Sequence, residues 1–196
     1  MTSDHDHGHD HGHSHSPPIV ADASVRLARP SDAPAVGFVQ AVLWREAYAS
    51  LLPREVLEGF QPQAFAGVWR TSLERPPSPA HRLLVACAGE QVVGFAAVGP
   101  SGDPDAKDGD GELLVLGVHP QARRAGHGSR LVNAAVDTAR GAGFTGLRGW
   151  LLSTDEDTRA FLTDAGLAAD GAYRDRVVGP QETDVAREVR VAGVIG

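Results

Sequence analysis

The stretch Val118-His119-Pro120-Gln121-Ala122-Arg123-Arg124-Ala125-Gly126-His127-Gly128-Ser129-Arg130-Leu131 decides the fold. An apolar strand stops at a proline, and a glycine-punctuated loop then feeds directly into a helix. Glycines at 126 and 128 let backbone N–H groups face outward with no Cβ in the way. The helix N-terminus adds unpaired donors and the positive end of a dipole. Such a nest suits a phosphate or pyrophosphate, the competing reading being a plain left-handed turn before a helix. Two common nucleotide loops do not fit. Leu131 takes the last place of Gly-x-Gly-x-x-Gly, and Gly-x-x-x-x-Gly-Lys-Ser/Thr does not occur.

Upstream of this loop, Glu112-Leu113-Leu114-Val115-Leu116-Gly117-Val118 is nearly continuous in apolar residues and reads as a strand buried on both faces. Residues 99–111 hold four aspartates and several glycines, the composition of an exposed, solvated loop. Before it, Arg82–Ala88 and Gln91–Val98 flank Gly89-Glu90 as an antiparallel hairpin. Further back, Ser24–Ala28 alternates as an edge strand, a helix starts at Ser31 and runs to about Tyr48, and helical segments fill 53–74 with interruptions near Gly59 and Pro62. Downstream come a helix over Ser129–Arg140, a strand over Thr145–Leu152, a short helix over Asp155–Asp164, and strands over Gly171–Val178 and Ala186–Val194. The order predicts an α/β fold with a mixed sheet flanked by helices.

The 196 residues suit one domain, and the tail explains the surplus. Residues 4–15 alternate histidine with Asp, Gly or Ser, placing six of the nine histidines at His5, His7, His9, His11, His13 and His15. With no apolar residue before Ile19, residues 1–22 read as a disordered tail and 23–196 as the folded domain. The imidazoles bind divalent transition metals adventitiously, and no structured or required metal is expected. A purification tag or a solubilising tail explains the run equally well.

Composition removes several function classes. A net charge of −7 argues against nucleic acid as a partner. No apolar run approaches the roughly 20 residues that cross a bilayer, and no secretory apolar segment opens the chain, so no membrane partner is expected. Lys107 is the sole lysine and Cys87 the sole cysteine, which excludes a P-loop lysine, a disulfide framework and a Cys-x-x-Cys site. A cytoplasmic location fits that cysteine usage.

Arg123-x-x-Gly126-x-Gly128, after a strand ending Val118-His119-Pro120, resembles the acyl-CoA signature of the GNAT N-acetyltransferase superfamily. Trp44–Pro53 resembles the first helical pair of a bacterial branch of that family, Val92–Phe95 its third strand, Glu112–Val118 its fourth, and Phe161–Leu167 its Phe-Tyr-x-x-x-Gly-Phe region. The resemblance implies the GNAT fold, with a mostly antiparallel sheet, and direct transfer of acetyl from acetyl-CoA, the only co-substrate, to a primary amine of a small molecule or peptide. It implies that amides from Arg124, Ala125, Gly126, His127, Gly128 and Ser129, with Arg123, hold the CoA pyrophosphate. Backbone groups at Leu116, Gly117 and Val118 would pair with the pantetheine arm, an amide at Gly117 or Val118 polarising the thioester, and Gly117 leaving room for close approach of the ligand. Glu112 is the candidate base for the ammonium, against a bland role as a solvated strand end, with Asp110 a weaker substitute.

The pattern also departs from the family. Arg124 replaces a glycine, Ala125 a basic or amide residue, and Asp155 an asparagine; Leu162 stands where a tyrosine usually protonates the thiolate. Tyr173 is the nearest phenol in sequence and a weak catalytic substitute. Trp44, Tyr48 and Trp150 are expected to line the acceptor pocket, with Phe60 and Trp69 further candidates, although aromatics at helical spacing are more often core. Glu46 and the acidic loop hint at a cationic amine. The missing tyrosine motivates an alternative, a non-catalytic acyl-CoA-binding domain with a regulatory role. A homodimer is left open.

Overall fold

The computed structural model describes residues 23–196; the histidine-rich tail and its metal-binding expectation lie outside the described residues. Seven strands form one sheet: β1 (Ala23–Leu27), β2 (Arg82–Ala88), β3 (Gln91–Pro100), β4 (Asp110–Val118), β5 (Gly146–Leu152), β6 (Ala168–Val177) and β7 (Val185–Val194). Their order across the sheet is β1-β2-β3-β4-β5-β7-β6. Every neighbouring pair is antiparallel except β4 with β5.

Among the described residues, five α-helices cover the sheet: α1 (Ala33–Ala47), α2 (Arg54–Glu58), α3 (Pro62–Glu74), α4 (His127–Gly141) and α5 (Glu156–Asp164). On one face, α4 buries Leu131, Val132, Ala135 and Ala139, and α5 buries Leu162, against Leu84, Ala96, Val98, Leu113, Leu147 and Val191. The helical spacing of those α4 residues is what turns one stripe inward. On the other face, Val36 and Val39 of α1 meet Leu83, Val85, Phe95 and Ala97. A smaller cluster joins Tyr48 and Leu52, beyond α1, to Ala186 on β7.

The expected elements are present, with shifts at their ends. The helix after the glycine loop starts at His127 rather than Ser129, and the acidic segment yields its last residues, Asp110 and Gly111, to β4. Burial of the central strand on both faces is overturned. Leu114 is 45% exposed, and Val115 to Val118 are only partly buried. The register explains this. Ala97 faces Val115 but Val98 faces Leu113, so Leu114 is the extra residue of a β-bulge. A bulge bends and overtwists its strand. The parallel pairing with β5 accordingly covers only Asp110–Leu113 against Gly146–Gly149. From Leu114 onward the two strands part and leave a fork in the middle of the sheet.

Candidate functional site

The fork exposes one edge of β4. Val93 accepts a hydrogen bond from the His119 N–H at 2.8 Å, and Gly94 faces Val118, Phe95 faces Gly117 and Ala96 faces Leu116. In an antiparallel ladder, hydrogen-bonded and non-hydrogen-bonded pairs alternate. Val118 and Leu116 therefore aim their N–H and C=O groups into the fork, whereas those of Gly117 serve β3. The expectation that Gly117 contributes backbone to the ligand is corrected on this ground. A Cβ at Gly117 would meet the end of the Leu43 side chain of α1.

At the end of β4, His119 leads into a 3₁₀ turn over Pro120–Ala122, its Nδ1 accepting from the Gln121 N–H. Arg123 then reaches back over the turn. Its Nε lies 3.3 Å from the Val118 carbonyl, and its terminal nitrogens meet Glu46 at 2.9 and 2.6 Å. Glu46 is thereby engaged by an arginine of its own chain and is not a free recruiter of amines.

Arg124 and Gly126 adopt left-handed conformations, with φ of 65° and 79°. Only Gly126 does so without steric cost; a side chain in this region costs about 1–2 kcal/mol. The amides of Arg124, Ala125 and Gly126 donate to no acceptor among the described residues. Those of His127, Gly128 and Ser129 are the first donors of α4, the Arg130 N–H being the one that closes onto Gly126 at 3.2 Å. Six consecutive residues thus offer backbone donors beside the open end of the fork. Gly128 has no special backbone conformation; its bare face lies over Phe161, whose ring is 3.4 Å from where a Cβ would stand.

His127 does not reach toward a ligand. It is 4% exposed, its Nδ1 has no partner, and burial together with Arg130 pushes its pKa below the usual 6.5.

Glu112 lies on β4 two residues before the bulge, opposite Gly99 on one side and Arg148 on the other. Its carboxylate accepts a long bond, 3.3 Å, from the Gly102 N–H. Trp150 shares this face one turn of the pleat further along β5, just past the last β4 pairing. Its indole N–H donates to Asp103 at 2.9 Å, and the Arg174 guanidinium lies 4.2 Å from its ring centre.

Tyr173 is elsewhere. It pairs with Val189, which pairs with Leu151 of the α4–α5 core, so its ring is on the face opposite Glu112 and Trp150. It is 66% exposed beneath Arg187, on a strand two spacings, about 10 Å, beyond β5. The structure does not bring Tyr173 and Glu112 together, because strand alternation sends them to opposite sides. Leu162 is fully buried in the core, and Asp155 caps α5 by accepting from the Thr158 N–H at 3.0 Å.

The other aromatics divide. Trp44, Tyr48, Phe60 and Phe65 pack edge to face with ring centres 5.0 to 6.2 Å apart. Tyr48 is buried, and desolvation chiefly raises its phenol pKa. Trp69 belongs to the α1–α3 core, against Phe95 with its N–H on Gln40.

Of the four aspartates expected to be solvated, Asp103, Asp105 and Asp110 are instead bound to arginines, and Asp108 is exposed as expected. Arg190 holds Asp103 at 3.0 Å, Asp105 at 2.6 and 2.9 Å and Asp170 at 2.8 Å; Arg148 holds Asp105 at 2.8 Å and Asp110 at 2.6 Å. Arg190 is chiefly responsible for lowering the Asp105 pKa to about 2. Two arginines, one from β5 and one from β7, so latch the β3–β4 loop across the sheet. Their roles could not be read from sequence, since nothing local links Asp103 with Arg190.

Residues 41–166 match the family model described as the acetyltransferase (GNAT) family, well over half of the chain. The chain belongs to the GNAT acetyltransferase family. Among solved structures, this GNAT chain is similar to the ribosomal-protein-alanine N-acetyltransferase of Brucella melitensis, with 19% identity, 87% of this chain and 99% of that one covered, and a TM-score of 0.67. It is also similar to yncA of Salmonella typhimurium, named as a candidate acetyltransferase and solved with acetyl-CoA (19% identity, coverage 89% and 94%, TM-score 0.64). A third is the PaiA N-acetyltransferase of Thermoplasma acidophilum in complex with coenzyme A (15%, 88% and 98%, 0.62). At these identities the likeness is one of fold. No curated protein matches the GNAT chain.

Proposed function

We propose that this chain transfers acetyl from acetyl-CoA to a primary amine by direct attack within a ternary complex. The observation that carries this is the fork: a β4 edge that no strand covers at Leu116 and Val118, where only the Val118 carbonyl is engaged, by Arg123, leads straight to the bare amides of Arg124 to Ser129. An extended amide-bearing arm adds to such an edge as a strand, and a pyrophosphate suits the amides at its end. Neighbours of the same fold are solved with acetyl-CoA and with coenzyme A.

The chain's own groups then have assigned tasks. Glu112 takes a proton from the ammonium so that the free nitrogen can attack the thioester carbonyl. Backbone N–H groups at Leu116 or Val118 stabilise charge on the carbonyl oxygen. The C–S bond breaks, the sulfur leaves as thiolate, and the nitrogen's remaining surplus proton passes to water or to that sulfur. Trp150 stands at the mouth of the fork beside the acceptor, while Trp44 and Tyr48 shape its far wall. We assign 23–196 as the acetyltransferase domain of a bacterial-type, cytoplasmic protein, supported by the family match and the lone buried Cys87.

A second reading, a non-catalytic acyl-CoA-binding domain, is favoured by one observation: neither Leu162 nor Tyr173 supplies a phenol on the Glu112 side. Thiol release from acetyl-CoA over a panel of amines separates the two. Turnover that is lost in Glu112→Gln with acetyl-CoA binding retained supports the enzyme. Binding without turnover on any amine supports the regulatory reading.

A further inference from the structure

On the face of the sheet that carries Glu112, most carboxylates are saturated and the two guanidinia of β6, Arg174 and Arg176, are not. Asp103 accepts from Trp150 and Arg190, Asp105 from Arg148 and Arg190, Asp110 from Arg148, and Asp170 from Arg190 and the Ala172 N–H. Arg174 differs. Its Nε donates to the buried Glu188 at 2.6 Å, its plane covers the Trp150 ring at 4.2 Å, and its two terminal nitrogens donate to no acceptor among the described residues. Arg176 stands on the same strand face, its Nε 3.6 Å from the other Glu188 oxygen and its head beside Tyr48. Two cations thus share one carboxylate.

Location gives this meaning. Trp150 is the first residue of β5 beyond the pairing with β4, so the guanidinium over its ring stands beside the mouth of the fork. Glu188 and Trp150 between them fix the Arg174 plane, which removes the entropy cost of orienting a long side chain. An arginine with Nε tied back and its paired terminal N–H groups free presents the fork that matches a carboxylate or phosphonate.

We propose that the acceptor amine carries a compact anionic group, held by Arg174 with Arg176 behind it, several bonds from the nitrogen delivered to Glu112. This deepens the acetyltransfer reading and rests on it. It replaces the cationic acceptor suggested by the acidic loop, three of whose four aspartates are paired with Arg148 or Arg190.

The test uses the full chain and matched amines: L-glutamate with L-glutamine, L-leucine with L-leucinamide, and 2-aminoethylphosphonate with ethanolamine, with spermidine as the cationic probe. The first two pairs report on carboxylate recognition and the third on phosphonate. In at least one pair the anionic member is expected to show kcat/KM about 10-fold or more above its partner, as a charge-assisted pair implies. Arg174→Gln should collapse that ratio toward one through KM, while acetyl-CoA titration stays unchanged and reports an intact fold. With acetyl-CoA bound, equal rates within every pair, preference for spermidine, turnover of no anionic amine, or a ratio unaffected by Arg174→Gln each overturn the proposal. Failure to bind acetyl-CoA overturns the acetyltransfer reading as well, which distinguishes the two failures.

Discussion

Arg123 meets Glu46 through two hydrogen bonds, 2.9 and 2.6 Å, across 77 positions of chain, tying the start of the glycine loop to the end of α1. Both side chains are about half exposed, so the pair itself is worth no more than about 1 kcal/mol. Its effect is on loop placement. Glu46→Gln is expected to leave thermal stability within a few degrees of the parent while weakening acetyl-CoA binding several-fold, read by calorimetric titration. Unchanged affinity would show that the loop is positioned without this tie.

His127 is the least comfortable polar group of the cradle helix, buried with an unpartnered Nδ1. Leaving such an atom unsatisfied costs about 1–3 kcal/mol, so His127→Leu should stabilise the protein by about 1 kcal/mol at pH 7. Burial lowers its folded pKa, so the unfolded chain binds the proton more readily below 6.5. His127 then costs the native state stability as pH falls from 6.5, and the leucine variant should lose that part of the decline. Urea unfolding at pH 5 and pH 7 measures both effects.

Arg124 holds a left-handed conformation that suits glycine. Arg124→Gly removes a steric cost of about 1–2 kcal/mol and adds about 0.5–1 kcal/mol of unfolded-chain entropy. A net gain of about 0–1.5 kcal/mol is expected by thermal unfolding. A loss would mean that the arginine side chain makes contacts that outweigh its backbone strain.

The loop latch predicts acid behaviour. Asp105, with its pKa lowered to about 2 mainly by Arg190, supports the fold fully above 3.8 and loses that support as pH falls toward 2. At neutral pH, Asp103→Ala strands part of Arg190 and the Trp150 N–H in a nearly buried setting, at about 2–4 kcal/mol. Denaturant midpoints of the variant and of the parent over pH 2–7 check both.

Much of this architecture is legible in the sequence because local chemistry dictates it. Pro34 opens α1, Gly126 permits the turn before α4, and Asp155 caps α5. The apolar β4 run announces a central strand but conceals its bulge. Whether Leu114 is paired or extruded depends on register with Ala97 and Val98, residues distant in sequence. The same limit hides the Arg148 and Arg190 latch, and it misplaces Tyr173, whose face follows from pairing with Val189, itself paired with Leu151. Nor do the sequence neighbours of Gly117 reveal that its bare face lies against Leu43 of α1.

Acetyl-CoA is proposed to lie along β4 in the fork with its pyrophosphate on the α4 end. Backbone amide exchange of the full chain, with and without saturating acetyl-CoA, tests it most directly. The expected result is strong new protection at Leu116 and Val118 and across Arg124 to Ser129, with the Gly117 amide, already paired with β3, little changed. Unaltered exchange at Leu116, Val118 and the loop in the presence of acetyl-CoA would contradict the claim.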